Sequence, residues 1–332
     1  MSTTNQAAQS PSLAAVVSTD QLRLITRTAR LYHERGLKQQ EIAAKLSVSQ
    51  ARVSRMLKQA VELGLVKTVV TVPAEVFPEV EEKLEQHYAL DQVVVVESHA
   101  DYNIVLDRMG AATARFLESA LAKDDVVGIS SWSESILLAA RALRPSASLD
   151  CRSIVQMVGG VGNTEVQMAA TEIMQLLAHR LRAEPVFMLT PAVLDSKHAR
   201  EALSADSMIR RVTKLWNQLS IAIFGVGGLA PSRLLAQSWN FYQPGDRDTL
   251  QKAGAVGDVC VRYFDADGQP VRNGFDERVM SIEREQLLRV PRRVAVAGGP
   301  DKYEAIRACL RGGWATTLIT DSDTATRLAD EI

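Results

Sequence analysis

From residue 93 onwards, short runs of apolar residues alternate with longer stretches whose apolar residues recur at helical spacing. Most of the runs are continuously apolar, which is typical of strands buried on both faces of a parallel sheet. They predict strands at Val93–Glu97, Val126–Ile129, Ile154–Val158, Val186–Leu189, Ile221–Val226, Val259–Phe264, Val294–Ala297 and Thr317–Ile319. The stretches between them predict helices at Ile104–Leu121, Glu134–Leu143, Thr164–Arg182, Ser207–Trp216, Lys302–Leu310 and Thr324–Ala329. This alternation predicts an α/β fold with a doubly wound, mainly parallel sheet over residues 80–332.

Small and polar residues follow several of the predicted strands. Ser130–Ser135 come after the second strand, and glycine-rich loops lie at Gly159–Gly162, Gly225–Gly228 and Gly298–Gly299, with Lys302 shortly beyond the last. Ligands of open α/β sheets bind beyond the carboxyl ends of the strands, where hydroxyls and amides at a helix N-terminus can hold an anion or sugar hydroxyls. These loops predict a ligand site, although a capped turn, tight glycine turns and a solvated Lys302 would explain the same residues separately.

Two enzymatic interpretations find little support in the sequence. Gly225–Ala230 fits the G-x-G-x-x-[G/A] pattern of dinucleotide folds, but the acidic residue at the right distance, Asp246, lies in a predicted loop and not at the end of a strand. The five histidines do not cluster, no Cys-x-x-Cys or His-x-x-Glu-His spacing occurs, and Ser131–Ser135 lacks the glycines of a nucleophile elbow. The sequence therefore predicts no catalytic residues, no metal site and no cofactor.

Three helices are predicted ahead of the α/β region, within residues 20–72. The first spans about Gln21–Arg35, the second about Lys38–Leu46, and the third, which Ser49 caps, about Gln50–Leu63. Seven apolar or small residues have the spacing at which the two helices of a helix-turn-helix pack together: Ile42, Ala43, Leu46, Val48, Val53, Met56 and Leu57. The segment is therefore predicted to be a helix-turn-helix domain.

The outward positions of this segment are candidates for contacts with DNA. The second helix of a helix-turn-helix enters the major groove, where Gln can pair with adenine and Arg with guanine. The predicted DNA-binding residues are Lys38, Ser49, Gln50, Ala51, Arg52, Ser54, Arg55 and Lys58. Ser47 departs from the pattern, since glycine is usual in the turn, and a solvated basic helix in an unrelated helical domain is the alternative interpretation.

The net charge of −1 hides an uneven distribution of charge. Residues 22–67 hold ten Lys or Arg against three Asp or Glu, whereas the rest of the chain holds 28 against 36. A basic N-terminal segment followed by an acidic remainder indicates one domain that binds a polyanion and another that binds a different ligand. Pro73 and Pro78 place a linker at residues 73–79, after a strand-like stretch in Leu65–Pro73. Residues 1–19 are predicted to form a flexible tail.

Cysteine usage and hydropathy predict the compartment. No run reaches 18 consecutive apolar residues, the first 19 residues contain no Lys or Arg, and the three cysteines are widely spaced. These features predict no membrane span, no secretory signal and no disulfide framework. A cytoplasmic protein with reduced thiols is expected.

Both halves of the chain together resemble the SorC family of bacterial transcriptional regulators, also described as SorC/DeoR-type sugar-binding regulators. The family's DNA-binding head is similar to ARLYHERGLKQQEIAAKLSVSQARVSRMLKQAVELGLV. Successive segments of its effector domain are similar to VVGISSWSESI, VQMVGGVG, FGVGGL, AGAVGDVCVRYFDADG, VAVAGGPDKYEAI and TTLITD. The resemblance covers about residues 21–331.

The resemblance implies a fold like that of ribose-5-phosphate isomerase and glucosamine-6-phosphate deaminase, used for sensing without turnover. It implies a sugar, phosphosugar or polyol effector and a dimer or tetramer. The effector contacts that it implies, taken with their neighbours in the hydroxyl loop, are Ser131, Ser133, Glu134, Ser135, Gln156, Gly159, Gly160, Asp258 and Lys302. Many family members carry Gly, Arg, Ser or Thr where this chain has Ser133-Glu134-Ser135, and a carboxylate there is unfavourable for phosphate.

We therefore expect a one-component transcription factor that binds a pseudo-palindromic operator and responds to a carbohydrate. Effector binding would shift the packing of subunits and with it the spacing of the DNA heads. A sugar-phosphate isomerase or deaminase with a fused DNA-binding head is the first alternative, and turnover of ribose-5-phosphate or glucosamine-6-phosphate would reveal it. A constitutive structural DNA-binding protein is the second, and it leaves the long α/β body without a role.

Overall fold

The computed structural model describes residues 18–67, 73, 76–144, 150–230 and 242–332. The chain divides into two compact units, Met1–Thr71 and Val72–Ile332. Within the described residues, no helix combines the length and the apolar character needed to cross a membrane.

Three helices make up the described part of the first unit: α1 (Thr19–His33), α2 (Gln39–Leu46) and α3 (Gln50–Glu62). Ser49 caps α3, since its hydroxyl accepts from the Arg52 N–H at 3.3 Å. The three helices bury one shared core, which consists of Ile25, Ala29, Leu31, Ile42, Ala43, Val53, Met56 and Ala60. The bounds of all three helices lie within two residues of those predicted.

The turn between α2 and α3 depends on Ser47. Its φ of 54° is left-handed, a conformation that costs a non-glycine residue about 1–2 kcal/mol. The Ser47 N–H donates to the Ala44 carbonyl at 3.3 Å, and the Val48 N–H donates to the Ala43 carbonyl at 3.0 Å. A serine thus adopts the backbone conformation that explains the usual glycine at this position.

The second unit alternates strands and helices, as predicted. Its strands are β1 (Gln92–Val96), β2 (Val126–Ile129), β3 (Ser153–Gln156), β4 (Glu184–Val186), β5 (Ile221–Phe224), β6 (Gly227–Gly228), β7 (Gly257–Val259), β8 (Arg262–Phe264), β9 (Arg292–Val296) and β10 (Thr317–Asp321). Its helices are α4 (Pro78–Tyr88), α5 (Tyr102–Ala120), α6 (Glu134–Ala142), α7 (Thr164–Arg180), α8 (Lys197–Ser204), α9 (Ser207–Trp216), α10 (Asp246–Lys252), α11 (Arg284–Leu287), α12 (Tyr303–Arg311) and α13 (Ser322–Asp330). Short 3-10 turns lie at Asp276–Arg278 and Pro300–Lys302.

Seven of the described strands form one parallel sheet in the order β1-β10-β9-β5-β2-β3-β4. The chain runs outward from β2 through β3 to β4 and then returns to β5 on the other side of β2. The winding direction therefore reverses between β2 and β5, which is where ligands of doubly wound sheets bind. A small antiparallel sheet, β6-β7-β8, lies at the end of β5.

Both faces of the parallel sheet are covered by helices. On one face α5, α6 and α7 pack on side chains such as Val127 and Ile223, and on the other α4, α9, α12 and α13 pack on side chains such as Val126 and Phe224. Neighbouring residues of one strand thus enter opposite cores, which explains why the strands are apolar without alternation.

Several expectations differ from the structure, and one lies mostly outside the described residues. The predicted strand Val259–Phe264 is wrong, because the chain reverses at Cys260-Val261 into the hairpin β7–β8. The strand expected at Val186–Leu189 lies earlier, as β4. The helices α4, α8, α10 and α11 were not predicted, and α10 begins at Asp246, which was expected to lie in a loop. The predicted linker 73–79 overlaps the start of α4, where Pro78 occupies the first helical position. Most of the strand-like stretch Leu65–Pro73 lies outside the described residues.

Candidate functional site

The two loops at the reversal point of the sheet lie against each other. The Ser130 hydroxyl, which follows β2, accepts from the Gly225 N–H, which follows β5, at 3.2 Å. A Cβ added to Gly225 would lie 3.1 Å from the Ser133 Oγ. Glycine at position 225 therefore lets the hydroxyl loop, Ser130–Ser135, approach the end of β5.

Within the hydroxyl loop, Ser133 and Glu134 belong to the start of α6, whereas Ser131 has no such role. Ser133 caps α6 by accepting from the Ile136 N–H at 3.4 Å, and Glu134 occupies the first turn of that helix. Ser135 is buried. Ser131 is fully buried, and its Oγ has no hydrogen-bond partner within the described residues. A buried hydroxyl without a partner is unfavourable, so a ligand that reached Ser131 would satisfy it.

Asp258 lies on β7 and faces the loop at the end of β5. A side chain at Gly227 would overlap the Asp258 carboxylate, so the backbone of β6 and this carboxylate are in close contact. The other carboxylate oxygen accepts from the Val261 N–H at 2.8 Å. Val261 has a φ of 67°, which is strained for a β-branched residue. Asp258 therefore stabilises the hairpin turn as well as facing the site.

Charge at the site centres on Asp258, Lys302 and Glu134. Burial raises the pKa of Asp258 to about 6, although the Val261 N–H and the positive charge of Lys302 lower it. Burial lowers the pKa of Lys302, and the carboxylates of Asp258 and Glu134 raise it. Lys302, which ends the 3-10 turn directly before α12, thus interacts with two carboxylates from distant parts of the chain.

Three polar residues near this site were not predicted from the sequence. The hydroxyls of Tyr242 and Tyr263 are hydrogen-bonded to each other, and burial raises the pKa of Tyr242 to about 12. Tyr263 pairs in register with Asp258 across the hairpin. Asp321 at the end of β10 accepts from the Gly299 N–H at 2.7 Å and fixes the loop that leads to Lys302. Of these three residues, only Asp321 lies at the end of a strand, a position that could have indicated it.

Gln156, Gly159 and Gly160 are engaged within the protein. The Gln156 side-chain oxygen accepts from the Met188 N–H at 3.0 Å. The N–H groups of Gly159 and Gly160 donate to the carbonyls of Met280 and Thr190, at 2.9 and 2.7 Å. A Cβ at Gly159 would lie 2.6 Å from the Thr190 carbonyl oxygen. Packing between chain segments thus explains these glycines without a ligand, and their predicted role in effector binding stays a prediction.

The glycines of the G-x-G-x-x-[G/A] segment belong to the small antiparallel sheet, where Gly227–Gly228 form β6 and pair with β7. Within the described ranges, no group of three His, Cys, Asp or Glu side chains is placed to hold a metal ion.

The predicted DNA-binding residues share one property, which is exposure to solvent. Lys38, Ser49, Gln50, Ala51, Arg52, Ser54, Arg55 and Lys58 are all exposed. Val53 and Met56 on the same helix are buried in the core of the first unit. The outward face of α3 is therefore polar and basic.

Comparison with known proteins agrees with this geometry. The family described as "Putative sugar-binding domain" matches residues 73–329. The chain is 31% identical to the deoxyribonucleoside regulator of Bacillus subtilis (strain 168), over 93% of this chain and 98% of that protein. It is 28% identical to the transcriptional regulator LsrR of Escherichia coli (strain K12), over 91% of this chain and 92% of that protein.

A solved structure extends the likeness to the whole fold. The crystal structure of the full-length sorbitol operon regulator SorC from Klebsiella pneumoniae superposes with a TM-score of 0.69 at 26% sequence identity, and the match covers 94% of this chain and all of that one. The chain therefore belongs to the family of SorC/DeoR-type sugar-binding transcriptional regulators.

Proposed function

We propose that this cytoplasmic regulator binds operator DNA through α2 and α3 and binds an unphosphorylated sugar or polyol at the carboxyl ends of β2 and β5. The observation that carries the choice of effector is the placement of two carboxylates, Asp258 and Glu134, within electrostatic range of Lys302. The proposed site therefore offers the acceptor oxygens of two carboxylates. Hydroxyl groups donate to carboxylates, whereas a phosphate dianion is repelled by them.

The size of this repulsion favours a neutral ligand. A phosphate charge about 4 Å from a carboxylate is disfavoured by roughly 4 kcal/mol at an effective dielectric constant of 20. The alternative is that Glu134 serves only the first turn of α6, where a negative side chain is favourable in any case. Ser131, Ser133 and Lys302 would then hold a phosphate. The fold resemblance to sugar-phosphate isomerases remains an expectation from the sequence.

The names of the relatives support a carbohydrate-type effector. The regulator from Klebsiella pneumoniae is named for the sorbitol operon, and the one from Bacillus subtilis for deoxyribonucleosides. We propose a carbohydrate-metabolism operon as the target of this chain as well, and predict that Ser131, Ser133, Glu134, Ser135, Asp258 and Lys302 line the effector site.

The DNA-binding role is supported by the first unit. Its left-handed turn at Ser47, its caps and its shared core have the geometry of a helix-turn-helix. The second helix of such a motif lies in the major groove, and the exposed Gln50, Arg52 and Arg55 would then meet base edges. A two-fold operator would need at least two copies of the chain, so we propose a homodimer or homotetramer.

Calorimetry on full-length protein tests the proposed effector class. A thermal-shift screen of sugars, polyols and their phosphates first identifies ligands, since a ligand at 100 times its Kd stabilises a protein by about 2.7 kcal/mol. Titrations then compare wild type with Glu134→Gln. Glu165→Gln is the matched control, because Glu165 lies in the first turn of α7 as Glu134 lies in the first turn of α6.

We expect the tightest wild-type ligand to be neutral, and Glu134→Gln to weaken it while Glu165→Gln does not. Tight binding of a phosphosugar that Glu134→Gln leaves unchanged would overturn the proposed effector class. Turnover of ribose-5-phosphate or glucosamine-6-phosphate would instead favour the enzymatic alternative.

A further inference from the structure

A cavity of about 680 Å³ lies beside the β7–β8 hairpin and does not include the candidate effector residues. Its lining includes Arg200, Arg262, Asn273, Glu283, Arg284 and Trp314. Sites for metabolite-sized ligands commonly have volumes of roughly 300–1,000 Å³. Arg262 and Tyr263 on β8 line the cavity.

The cavity has one more positive than negative side chain. Five cations and four carboxylates line it. Glu283 is shared, because it accepts from Arg262 at 2.8 Å and also pairs with Arg200. Among the cations that line the cavity, Arg284 has no salt bridge to a carboxylate within the described residues. Its guanidinium lies 5.2 Å from the centre of the Trp314 ring and donates to the Gly312 carbonyl at 2.9 Å.

Three lining residues also carry buried donors without acceptors. The Nε groups of Arg200 and Arg284 and the side-chain nitrogen of Asn273 have no hydrogen-bond partner in the part of the chain that the structure describes. The orientation of the Asn273 amide is fixed, because its oxygen accepts from the N–H groups of Phe275 and Asp276 at 3.0 and 3.2 Å. A buried donor without a partner costs about 1–3 kcal/mol. A ligand that brought acceptors to these three donors would therefore be favoured.

We propose that this cavity is a second ligand site, which binds a small polar carboxylate of the sugar-acid type. A carboxylate brings one negative charge, which balances Arg284, and about four acceptor positions, which match donors on Arg200, Asn273 and Arg284. The hydroxyls of a sugar acid would donate to lining carboxylates such as Glu277 and Glu285. This site is independent of the proposed effector site at β2 and β5.

Gluconate and sorbitol are a matched pair of probes, because they differ only in a carboxylate against a hydroxymethyl group. Isothermal titration of the full-length protein at constant ionic strength, with chloride as the background anion, measures both. The variant Asn273→Asp is nearly isosteric and keeps the oxygen that the two backbone amides need, but it replaces the donor by a repelling charge. Asn217→Asp, at an exposed asparagine outside the cavity, is the control, and Glu134→Gln tests the effector site without changing the hairpin.

We expect gluconate to bind wild type and to bind Asn273→Asp about 10- to 100-fold more weakly, as the loss of a charge-assisted hydrogen bond predicts. Asn217→Asp and Glu134→Gln should bind gluconate as wild type does, and Arg284→Gln should lose it. Three results would each overturn the proposal: no gluconate binding at millimolar concentration, equal binding by Asn273→Asp, or loss of gluconate binding in Glu134→Gln, which would assign gluconate to the effector site.

Discussion

At the scale of single residues, Asp258 combines a structural role with a chemical one. One carboxylate oxygen stabilises the strained turn at Val261, and the group as a whole opposes Lys302. Its pKa of about 6 lies above the ordinary value of an aspartate, because burial disfavours the charged form. Protonation of Asp258 near pH 6 would remove its negative charge and turn one acceptor oxygen into a donor.

We therefore predict that affinity for the neutral effector falls as the pH drops from 7.5 to 5. Asp258 is ionised above its pKa and accepts from ligand hydroxyls there, and this acceptor is lost as the pH falls through about 6. Titration calorimetry of the tightest neutral ligand across this range measures the effect. Asp258→Asn should bind weakly at both ends of the range, and an unchanged pH dependence in that variant would assign the titration to another group.

The effector residues stay predictions, and their contacts within the protein could be predicted only in part. Ser133 and Lys302 were selected from loops at strand ends and Asp258 from the family resemblance, and the structure places Asp258 and Glu134 within electrostatic range of Lys302. The engagement of Gly159 with Thr190 and the contact of Tyr263 with Tyr242 could not be predicted, because their partners come from separate segments of the chain.

At the scale of helices and strands, burial decided which predictions succeeded. The central strands were found because both of their faces are buried, so that every position is apolar. The helices α4 and α8 were missed for the opposite reason, since α4 buries only Leu84 and α8 buries no side chain. The hairpin β7–β8 was read as one strand because its turn residues, Cys260 and Val261, are apolar and lack the usual glycine or asparagine.

The turn and cap of the first unit give a prediction for its stability. Ser47→Gly should raise the free energy of unfolding by about 1 kcal/mol, because glycine adopts a φ of 54° without strain. Ser49→Ala should lower it by about 1 kcal/mol through loss of the cap on α3. Urea unfolding of residues 18–67 measures both. Destabilisation by Ser47→Gly would show that the serine side chain contributes more than its conformation costs.

The recognition face of α3 gives a prediction for DNA binding. Arg55→Ala should cost about 1–3 kcal/mol of specific affinity if Arg55 reads a guanine. Lys58→Ala should weaken binding to all sequences alike and reduce the salt dependence, as the loss of a phosphate contact does. Fluorescence anisotropy with operator and scrambled duplexes at several salt concentrations separates the two effects. If neither substitution changes operator binding, α3 is not the recognition helix.

At the scale of the whole molecule, charge and packing divide the chain in the same place. The basic residues 22–67 lie in the first unit, whose core is made of its own helices, and the two cores of the second unit contain only residues beyond position 80. The division of charge predicted two parts with different ligands. The order of the strands in the sheet could not be predicted, because it depends on which apolar faces meet after the chain returns from β4 to β5.

Assembly is predicted to depend on the second unit. A single head would cover few base pairs, and its local charge of +7 is too modest for specific binding at physiological salt. Two or more heads must therefore be joined, and we expect residues 76–332 alone to form a dimer or tetramer. Sedimentation velocity at micromolar concentration measures this, and a monomeric species would assign assembly to the first 75 residues.

The contact between Gly227 and the Asp258 carboxylate has an evolutionary consequence. With the Asp258 carboxylate in its present position, a side chain at position 227 overlaps it, so a substitution at 227 requires that residue 258 moves or becomes smaller. A lineage that changes its effector by shortening residue 258 gains room at position 227 in the same step. Substitutions at these two positions should therefore appear together among descendants that respond to different carbohydrates, with the larger residue at 227 accompanying the smaller one at 258.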